Sequence, residues 1–600
     1  MEQVNVFDQR SEIPKEDTWA IEDLFADDQA WEQELATLAE DQQELAAFAG
    51  HLAEGGEVLC AYLSKKEAVN AKASLLANYC MRKSDEDTRN THYQAMVGKF
   101  MSVAVAMEAA LSFQTPEIMA VSDELLKQFY TVCPELERYR RYLTDLRRYR
   151  AHILSPAEEK LLAAAGELAQ APDQIYGMFA DADLTFEDAL DSQGNPHPVS
   201  QSTFALCQES PDRILRKNAF ESLYQGFGAF RNTAAGLLNA QNKQLKFFAE
   251  ARNYPSAFEA SLDGNDVPTE VYLNLIETVH ANLDKMHRYV RLRKKLLGVE
   301  ELHFYDIYAP LVANVDKKIS FAEAKQTVLH ALEPLGEAYS TILKEGFENR
   351  WIDVYHSTGK RSGAYSAGAR VHPFILLNYT GTLDSQFTLA HEMGHALHSY
   401  LSNKNQNPVD AGYVIFVAEV ASTCNEALLM EYLLGKTEDQ QERAYLINHF
   451  LEQFKGTLFR QTMFAEFELN IGKMVSAGQT LTADVLCREY RRLNELYFGP
   501  DMVVDEQIAL EWARIPHFYY DYYVFQYATG YAAAIALSRR ILHEGEPAVA
   551  DYLEFLSGGC SKSPIDLLKG AGVDMTGPEP VEQALKLFGE LLDEMEALID

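Results

Sequence analysis

The stretch His391-Glu392-Met393-Gly394-His395 carries the strongest chemical pattern in this 600-residue chain. Residues four apart lie on one face of a helix, so His391 and His395 can direct two imidazoles at a single metal ion. Glu392, the residue after the first histidine, can then reach a water bound to that ion. The pattern predicts the metal-binding helix of a zinc hydrolase.

The flanking residues predict that this helix begins before the stretch and continues beyond it. Asp384 or Ser385 can cap its start. The alternative is that the two histidines are surface residues, or core residues satisfied by hydrogen bonds, and a third ligand at proper spacing would argue against it. Apolar residues recur at intervals of three and four on the side away from the histidines, and these are Leu389, Met393, Leu397 and Tyr400.

A second predicted helix, Tyr413 to Leu434, supplies the third ligand. Glu419 and Glu426 lie two turns apart on a face otherwise made of apolar and small residues. A buried carboxylate there is costly unless it meets a cation. Because a catalytic zinc ion takes three protein ligands, we predict that His391, His395 and Glu419 bind one zinc ion per chain.

Two further residues are predicted to support the ligands. Glu426 is suited to accept the free N–H of a zinc-bound imidazole, although a solvated helix charge is the alternative. His398 shares the helix face of the two histidines, but it lies about 10 Å of helix rise from His391. All three imidazoles cannot comfortably close on one ion at that separation, so His398 is placed behind the ligands.

The segment Arg514 to Tyr527 contains five tyrosines and a histidine. A tetrahedral intermediate needs hydrogen-bond donors for its oxyanion, and phenol hydroxyls can supply them. At helical spacing Tyr520 and Tyr523 fall on one face, and with His517 they are the predicted donors. The alternative is core packing, although core positions favour phenylalanine over side chains whose hydroxyls need partners.

The composition is that of a globular protein, and the net charge limits the classes of partner that we expect. Hydrophobic residues make up 47% and charged residues 24%, and the net charge of -36 argues against a nucleic-acid partner, which requires a basic surface. Met1 to Phe25 lacks the pattern of a signal peptide, and no apolar run approaches the length of a membrane span. Seven scattered cysteines indicate reduced thiols. We therefore expect a cytoplasmic protein without membrane or nucleic-acid partners.

The periodicity along the chain predicts a mainly α fold. Apolar residues at helical spacing fill the region before a turn-rich segment at 184–200 and resume after it. We accordingly predict an N-terminal helical region at 1–195 and a catalytic region at 196–600. Just before the metal helix, residues 363–368 and 373–379 predict two short strands whose glycines allow close backbone approach. Their exposed edge could bind an extended peptide, or the sheet could simply brace the helix.

With these motifs the chain resembles oligoendopeptidase F, a group within the thimet-oligopeptidase family of zinc peptidases. The resemblance spans nearly the whole chain and includes Trp19 to Phe25, Ser256 to Ser261 and Leu302 to Leu311. Its most specific stretches surround the predicted site, and these are His391 to Ser399, Glu419 with the residues that follow it, and Arg514 to Tyr519.

The resemblance implies an elongated helical body of the zincin type, with a deep channel that admits short unstructured peptides. Carried over by position, His391, His395 and Glu419 would bind zinc, and Glu392 would be the general base. His517 and nearby tyrosines would stabilise the intermediate. The chain departs from the family pattern at Phe525, where the family has a tyrosine, which transfers the donor role to Tyr520 and Tyr523.

We thus expect a zinc-dependent endopeptidase that hydrolyses short oligopeptides through a metal-activated water. One alternative is a zinc exopeptidase on a similar helical scaffold, which would need a fixed charge to hold a substrate terminus. The other is a non-catalytic helical peptide-binding protein. A structural zinc site would be closed by four ligands, typically with cysteine, and no cysteine pair offers that.

Overall fold

The computed structural model describes residues 7–312 and 318–599, and α-helices dominate its secondary structure. Side-chain caps begin many of them: Asp27 accepts the N–H of Ala30 at the start of the first helix. The helices are α1 (Asp28–Ala46), α2 (Gly56–Glu86), α3 (Thr91–Ala110), α4 (Gln114–Ala120), α5 (Asp123–Val132), α6 (Arg140–Arg148), α7 (Pro156–Ala169), α8 (Ala171–Gly177), α9 (Gln201–Gln208), α10 (Arg213–Ala229), α11 (Arg231–Ala251), α12 (Ala257–Asp263), α13 (Thr269–His280), α14 (Leu283–Leu297), α15 (Phe321–Ala331), α16 (Gly336–Glu348), α17 (Leu383–Asn405), α18 (Ile415–Lys436), α19 (Gln440–Gln453), α20 (Arg460–Ser476), α21 (Ala483–Phe498), α22 (Phe525–Glu544), α23 (Glu546–Leu556), α24 (Pro564–Gly570) and α25 (Glu579–Ile599).

The strands of the described residues are short and form three small sheets. They are β1 (Ala189–Leu190), β2 (Pro196–His197), β3 (Leu302–His303), β4 (Ile352–Asp353), β5 (Tyr365–Ala367), β6 (Phe374–Leu376) and β7 (Met502–Val503). β1 and β2 form an antiparallel hairpin, and β3 pairs with β7 in parallel. The third sheet has the order β4-β6-β5, with β4 parallel and β5 antiparallel to β6. β5 and β6 are the two strands that the sequence predicted before the metal helix.

The chain divides into two compact units, each built from three separated segments. In the described residues the first unit consists of 7–150, 318–432 and 537–572. The second consists of 151–312, 433–536 and 573–599. The sequence-based division at residue 195 stays a prediction.

In the first unit, a core cluster joins the N-terminal helices to the third sheet. Trp31 on α1 and Tyr62 and Leu76 on α2 are fully buried and belong to the same cluster as Phe374 and Leu376 on β6. This packing covers one face of β6 with apolar side chains. It thereby fixes the sheet that lies beside α17.

The edge of β4 is closed by the N-terminal segment. The N–H of Val354 donates to the carbonyl of Asp17 at 3.0 Å. The buried Asp353 carboxylate pairs with Lys360 at 2.7 Å and with Arg10 at 2.5 Å. A buried carboxylate would be costly alone, and here two cations compensate it. The N-terminal segment therefore covers the edge of the sheet at β4. The second edge of the sheet is at β5.

In the second unit, buried polar side chains bond to backbone carbonyls of other segments. Tyr272 on α13 is fully buried and donates its hydroxyl to the carbonyl of Ala465 on α20 at 2.6 Å. Arg293 on α14 is also buried and donates to the carbonyls of Asp306 and Ala309 at 3.0 and 2.6 Å. These bonds satisfy polar groups that would otherwise be costly to bury.

One segment departs from the expectation about membrane spans. Residues Thr91–Ala120, 30 residues in α3 and α4, are by length and composition alone apolar enough to cross a bilayer. The expectation that no apolar run approaches this length is therefore wrong. Core helices and signal sequences share the same properties, so this one segment is weak evidence for a membrane location.

Candidate active site

Helix α17 carries the histidine pair as predicted, but a different residue caps it. The Thr382 side chain accepts the N–H of Ser385, so the cap lies before the predicted candidates Asp384 and Ser385. The predicted apolar stripe holds for its first three members, because Leu389, Met393 and Leu397 are fully buried while Tyr400 is half-buried.

Three side chains from α17 and α18 converge on one point in the first unit. Oε2 of Glu419 lies 3.3 Å from Nε2 of His391 and 3.4 Å from Nε2 of His395. The two Nε2 atoms are 3.1 Å apart. Three potential ligand atoms, one from each residue, thus form a nearly equilateral triangle.

The dimensions of this triangle fit a zinc ion. Ligand atoms about 2.1 Å from a tetrahedral ion are separated from one another by about 3.4 Å. The separations of 3.1, 3.3 and 3.4 Å are close to this value. Two imidazoles and one carboxylate are also a donor set that catalytic zinc sites use. The residues present therefore fit the metal that the sequence predicted.

The charges around the triangle favour a cation. Burial lowers the pKa of His391, but its contacts with Glu419 and Glu426 outweigh this and raise the pKa to about 10. Burial raises the pKa of Glu419, but contacts with His391 and His395 hold it well below its usual range. Three carboxylates, including that of Glu392, surround two imidazoles. A divalent cation would balance this excess of negative charge.

The general-base candidate, Glu392, is buried on α17 with 6% of its surface exposed. Burial is the main cause that raises the pKa of its carboxyl group. Its Oε2 has no hydrogen-bond partner among the described residues. An acid held in this way favours accepting a proton more than a solvated glutamate does.

Glu426 and His398 lie outside the triangle. Glu426 contacts one of the proposed ligands, whereas His398 packs against an aromatic ring. Glu426 lies with Oε1 3.2 Å from Nδ1 of His391, the ring nitrogen turned away from Glu419. His398 is 1% exposed and stacks on Tyr413, with ring centroids 3.8 Å apart. Burial, followed by the nearby His395, lowers its pKa to about 3, so its ring is neutral.

The third sheet packs directly on α17. A Cβ atom on Gly368, just after β5, would lie 2.8 Å from Oγ of Ser399 on α17. Any larger residue would push the sheet and the helix apart. The glycine therefore permits the close backbone approach that the sequence predicted.

The aromatic segment lies in the second unit, and its tyrosines surround His517. The ring centroids of Tyr520, Tyr523 and Tyr527 lie 5.4, 6.4 and 5.9 Å from that of His517. The Tyr527 hydroxyl is 3.4 Å from Nε2 of His517. Burial lowers the pKa of His517. The cluster thus contains Tyr527, which was not among the predicted donors.

Tyr520 and Tyr523 do not share a helix face, so that prediction is wrong. Pro516–Tyr519 is a short 3-10 turn, and α22 begins only at Phe525. Between them Asp521 and Tyr522 have φ angles of 53° and 57°, in the left-handed region that interrupts a helix. Both tyrosines still lie near His517, through this irregular turn rather than through helical spacing.

The helical fold and this pair of histidines with a nearby glutamate define a metallopeptidase. A family model described as "Peptidase family M3" matches residues 206–587, and one described as "Oligopeptidase F" matches residues 117–186. The chain belongs to peptidase family M3. The predicted resemblance, the mainly α fold class and the assignment as a metalloendopeptidase are confirmed.

Individual relatives match along nearly the full chain. Oligopeptidase PepF of Bacillus subtilis is 46% identical, covering 99% of this chain and 89% of its own. An oligoendopeptidase F homologue of Lactococcus lactis is 38% identical and covers 98% of both chains. The crystal structure of oligoendopeptidase-F from Enterococcus faecium is 38% identical with a TM-score of 0.75, covering 96% of this chain and 99% of its own. A solved structure from Chlamydophila abortus has a TM-score of 0.93 at 36% identity, covering 99% of this chain and 100% of its own.

Proposed function

We propose that the chain is a zinc-dependent endopeptidase that hydrolyses short oligopeptides. The observation that carries the proposal is the triangle of two imidazole nitrogens and one carboxylate oxygen, with sides of 3.1–3.4 Å. Glu392 follows the first of these histidines on the same helix. Membership of family M3 supports a peptide substrate, and the names of the relatives support short peptides as its class.

The residues that would hold one zinc ion are His391, His395 and Glu419. When bound, zinc supplies Lewis acidity that lowers the pKa of a coordinated water toward about 7 and polarises the scissile carbonyl. Glu426 accepts the N–H of His391 and so fixes which nitrogen of that ring faces the metal. His398 supports the ligands by packing, because its ring stacks on Tyr413.

Glu392 is the proposed general base. Its carboxylate removes a proton from the attacking water and delivers that proton to the amine that leaves when the peptide bond breaks. The low exposure of the side chain raises its pKa and suits both halves of this transfer. The two other carboxylates at the site, Glu419 and Glu426, both contact His391 and so have other roles.

His517 and the surrounding tyrosines are the proposed stabilisers of the oxyanion. Hydroxyl donors strengthen their hydrogen bonds as negative charge develops on the carbonyl oxygen. Tyr520 and Tyr523 are the donors named from the sequence, and Tyr527 joins them because its hydroxyl lies 3.4 Å from Nε2 of His517.

The edge of β5 is the proposed site for the backbone of the substrate. β5 pairs with β6 on one side, and the described residues place no further strand on the other. An extended peptide on this edge would form main-chain hydrogen bonds whatever its sequence. This arrangement suits an enzyme without strict sequence preference.

A digest of mixed peptides tests the proposed endopeptidase activity. We expect internal cleavages in peptides of unrelated sequence, detected by mass spectrometry, and no cleavage of a folded protein. An exopeptidase would instead produce ladders that shorten from one terminus. A non-catalytic binding protein would retain peptides without shortening them. Cytoplasmic location and the absence of membrane and nucleic-acid partners stay predictions from composition.

Removal of single hydroxyls tests the oxyanion donors. We expect Tyr527→Phe or Tyr523→Phe to lower kcat by about 10²–10³-fold with little change in KM, because the bond forms in the transition state. Tyr520→Phe and His517→Ala should be measured alongside.

Tyr522→Phe is the matched control for these variants. Tyr522 lies in the same turn but is buried against Phe258 and Tyr272, with its hydroxyl toward Gly472. Its variant should alter the melting temperature and leave kcat nearly unchanged. Normal turnover in the Tyr520, Tyr523 and Tyr527 variants, singly and combined, would remove the cluster from the mechanism.

A further inference from the structure

The proposed zinc site depends on the register between two helices. His391 and His395 belong to α17, whereas Glu419 belongs to α18. A slide of one residue along a helix axis moves a side chain by about 1.5 Å. Metal–ligand distances tolerate deviations of only about 0.2 Å from their usual values. Some contact between the helices must therefore fix their relative position.

Close packing at a glycine brings the two helices together and limits how far they can slide. A Cβ atom on Gly394 would lie 2.6 Å from Cα of Ser422 and 2.7 Å from the carbonyl oxygen of Ala421. This glycine lets α17 and α18 approach until their backbones touch. These van der Waals contacts have no preferred direction, so a hydrogen bond beside them would hold the position of the helices more precisely.

A directional contact is present one turn further along α18, at Asn425. The side chain of Asn425 is fully buried. Its Nδ2 donates to the carbonyl oxygen of Ala390 at 3.1 Å, and Ala390 is the residue before His391. A carbonyl oxygen has two lone pairs, so it can accept this bond in addition to the one within its own helix.

Tyr339 on α16 fixes the orientation of the Asn425 amide. The buried hydroxyl of Tyr339 donates to Oδ1 of Asn425 at 2.9 Å. If the amide were flipped, its oxygen would face the carbonyl oxygen of Ala390 and two acceptors would repel each other. Only one orientation satisfies both bonds. Three helices are thereby joined at a single buried amide.

We propose that Asn425, oriented by Tyr339, is a positioning residue that holds α18 in register with α17 and so sets the distance from Glu419 to the two histidines. Its hydrogen bonds to Ala390 and Tyr339 involve none of the proposed ligands. Its neighbour Glu426 contacts His391 directly, so the same turn of α18 bonds to two successive residues of α17. The inference rests on the proposed function, because it presumes that the triangle binds zinc.

Zinc affinity of the metal-free full-length protein tests the proposal. Each variant is stripped with a chelator and titrated with Zn²⁺ against a chromophoric competitor, at a temperature well below its own melting temperature. We expect Asn425→Ala to weaken zinc binding by about 10–100-fold, the usual effect of losing a partner behind the ligands. Tyr339→Phe should produce a smaller loss in the same direction.

Tyr552→Phe is the matched control for Tyr339→Phe. Tyr552 is equally buried, and its hydroxyl lies beside the thiol of Cys424 on α18. Both changes remove one buried hydroxyl next to α18, but only Tyr339→Phe affects the Asn425 amide. The control should bind zinc as the unaltered protein does.

The outcomes separate the inference from the proposed function. If the unaltered protein bound no zinc, the proposed function would fail and the inference with it. If the unaltered protein bound zinc, and if the Asn425→Ala variant folded and bound zinc with the same affinity, the inference alone would be overturned. Should Asn425→Ala not fold, Tyr339→Phe decides, because equal zinc affinity in Tyr339→Phe and Tyr552→Phe would equally overturn the inference. A purely structural role would lower the melting temperature of the folded variants and leave their zinc affinity intact.

Discussion

Glu392→Gln is expected to abolish peptide hydrolysis while one zinc ion stays bound. The amide keeps the shape of the side chain but cannot accept a proton, so the attacking water loses its base. Loss of a positioned general base costs about 10²–10⁴-fold in rate. The ligand atoms on His391, His395 and Glu419 are untouched. Initial rates on a fluorogenic peptide, together with zinc content after dialysis, provide the measurement.

His391→Ala is the control for this variant. It removes a ligand, so it should lose metal and activity together, whereas Glu392→Gln separates the two. If Glu392→Gln retained more than about a hundredth of the original rate, Glu392 would not be the base.

Glu419→Ala is expected to lose zinc far more completely than any change at His398. Glu419 contributes one corner of the ligand triangle, and its removal leaves two protein ligands where a catalytic zinc site has three. Removal of a residue that supports the ligands usually lowers metal affinity by about 10–100-fold, and removal of a ligand lowers it further. Zinc content after dialysis ranks the variants directly.

His398→Phe is a sharper comparison than His398→Ala. Phenylalanine can keep the stack on Tyr413, so the variant removes the ring nitrogens without opening a cavity in the core. Zinc retention in Glu419→Ala together with zinc loss in His398→Phe would show that the third ligand has been misassigned.

The sequence predicts the metal-binding part of the site well because its chemistry constrains local spacing. Two histidines four apart must share a helix face, and a glutamate on an otherwise apolar face must meet a cation. The structure brings His391, His395 and Glu419 within 4.8 Å of one another. The strands β5 and β6 were also predictable, since glycines bracket a short apolar run.

Other features have no local signal. The irregular turn at Asp521 and Tyr522 was not predicted, because left-handed φ angles in residues other than glycine cannot be read from residue type. The two-residue strand β4 pairs only with a distant partner, so its own sequence does not identify it. Nor does periodicity reveal that Asn425 meets Tyr339, because that contact depends on tertiary packing.

The segmented composition of the first unit has a consequence for synthesis on the ribosome. The histidine pair and Glu419 are all translated by residue 419, yet α23 and α24, which complete the same unit, follow more than a hundred residues later. Until then the nascent chain exposes the surfaces that these helices cover. One example is the ring of His398, which packs against Phe555 of α23 in the folded protein. Long-range contacts of this kind slow folding and leave partly folded chains prone to aggregation. Production of the protein should therefore be sensitive to truncation near its C-terminal end, even though every proposed zinc ligand lies far upstream.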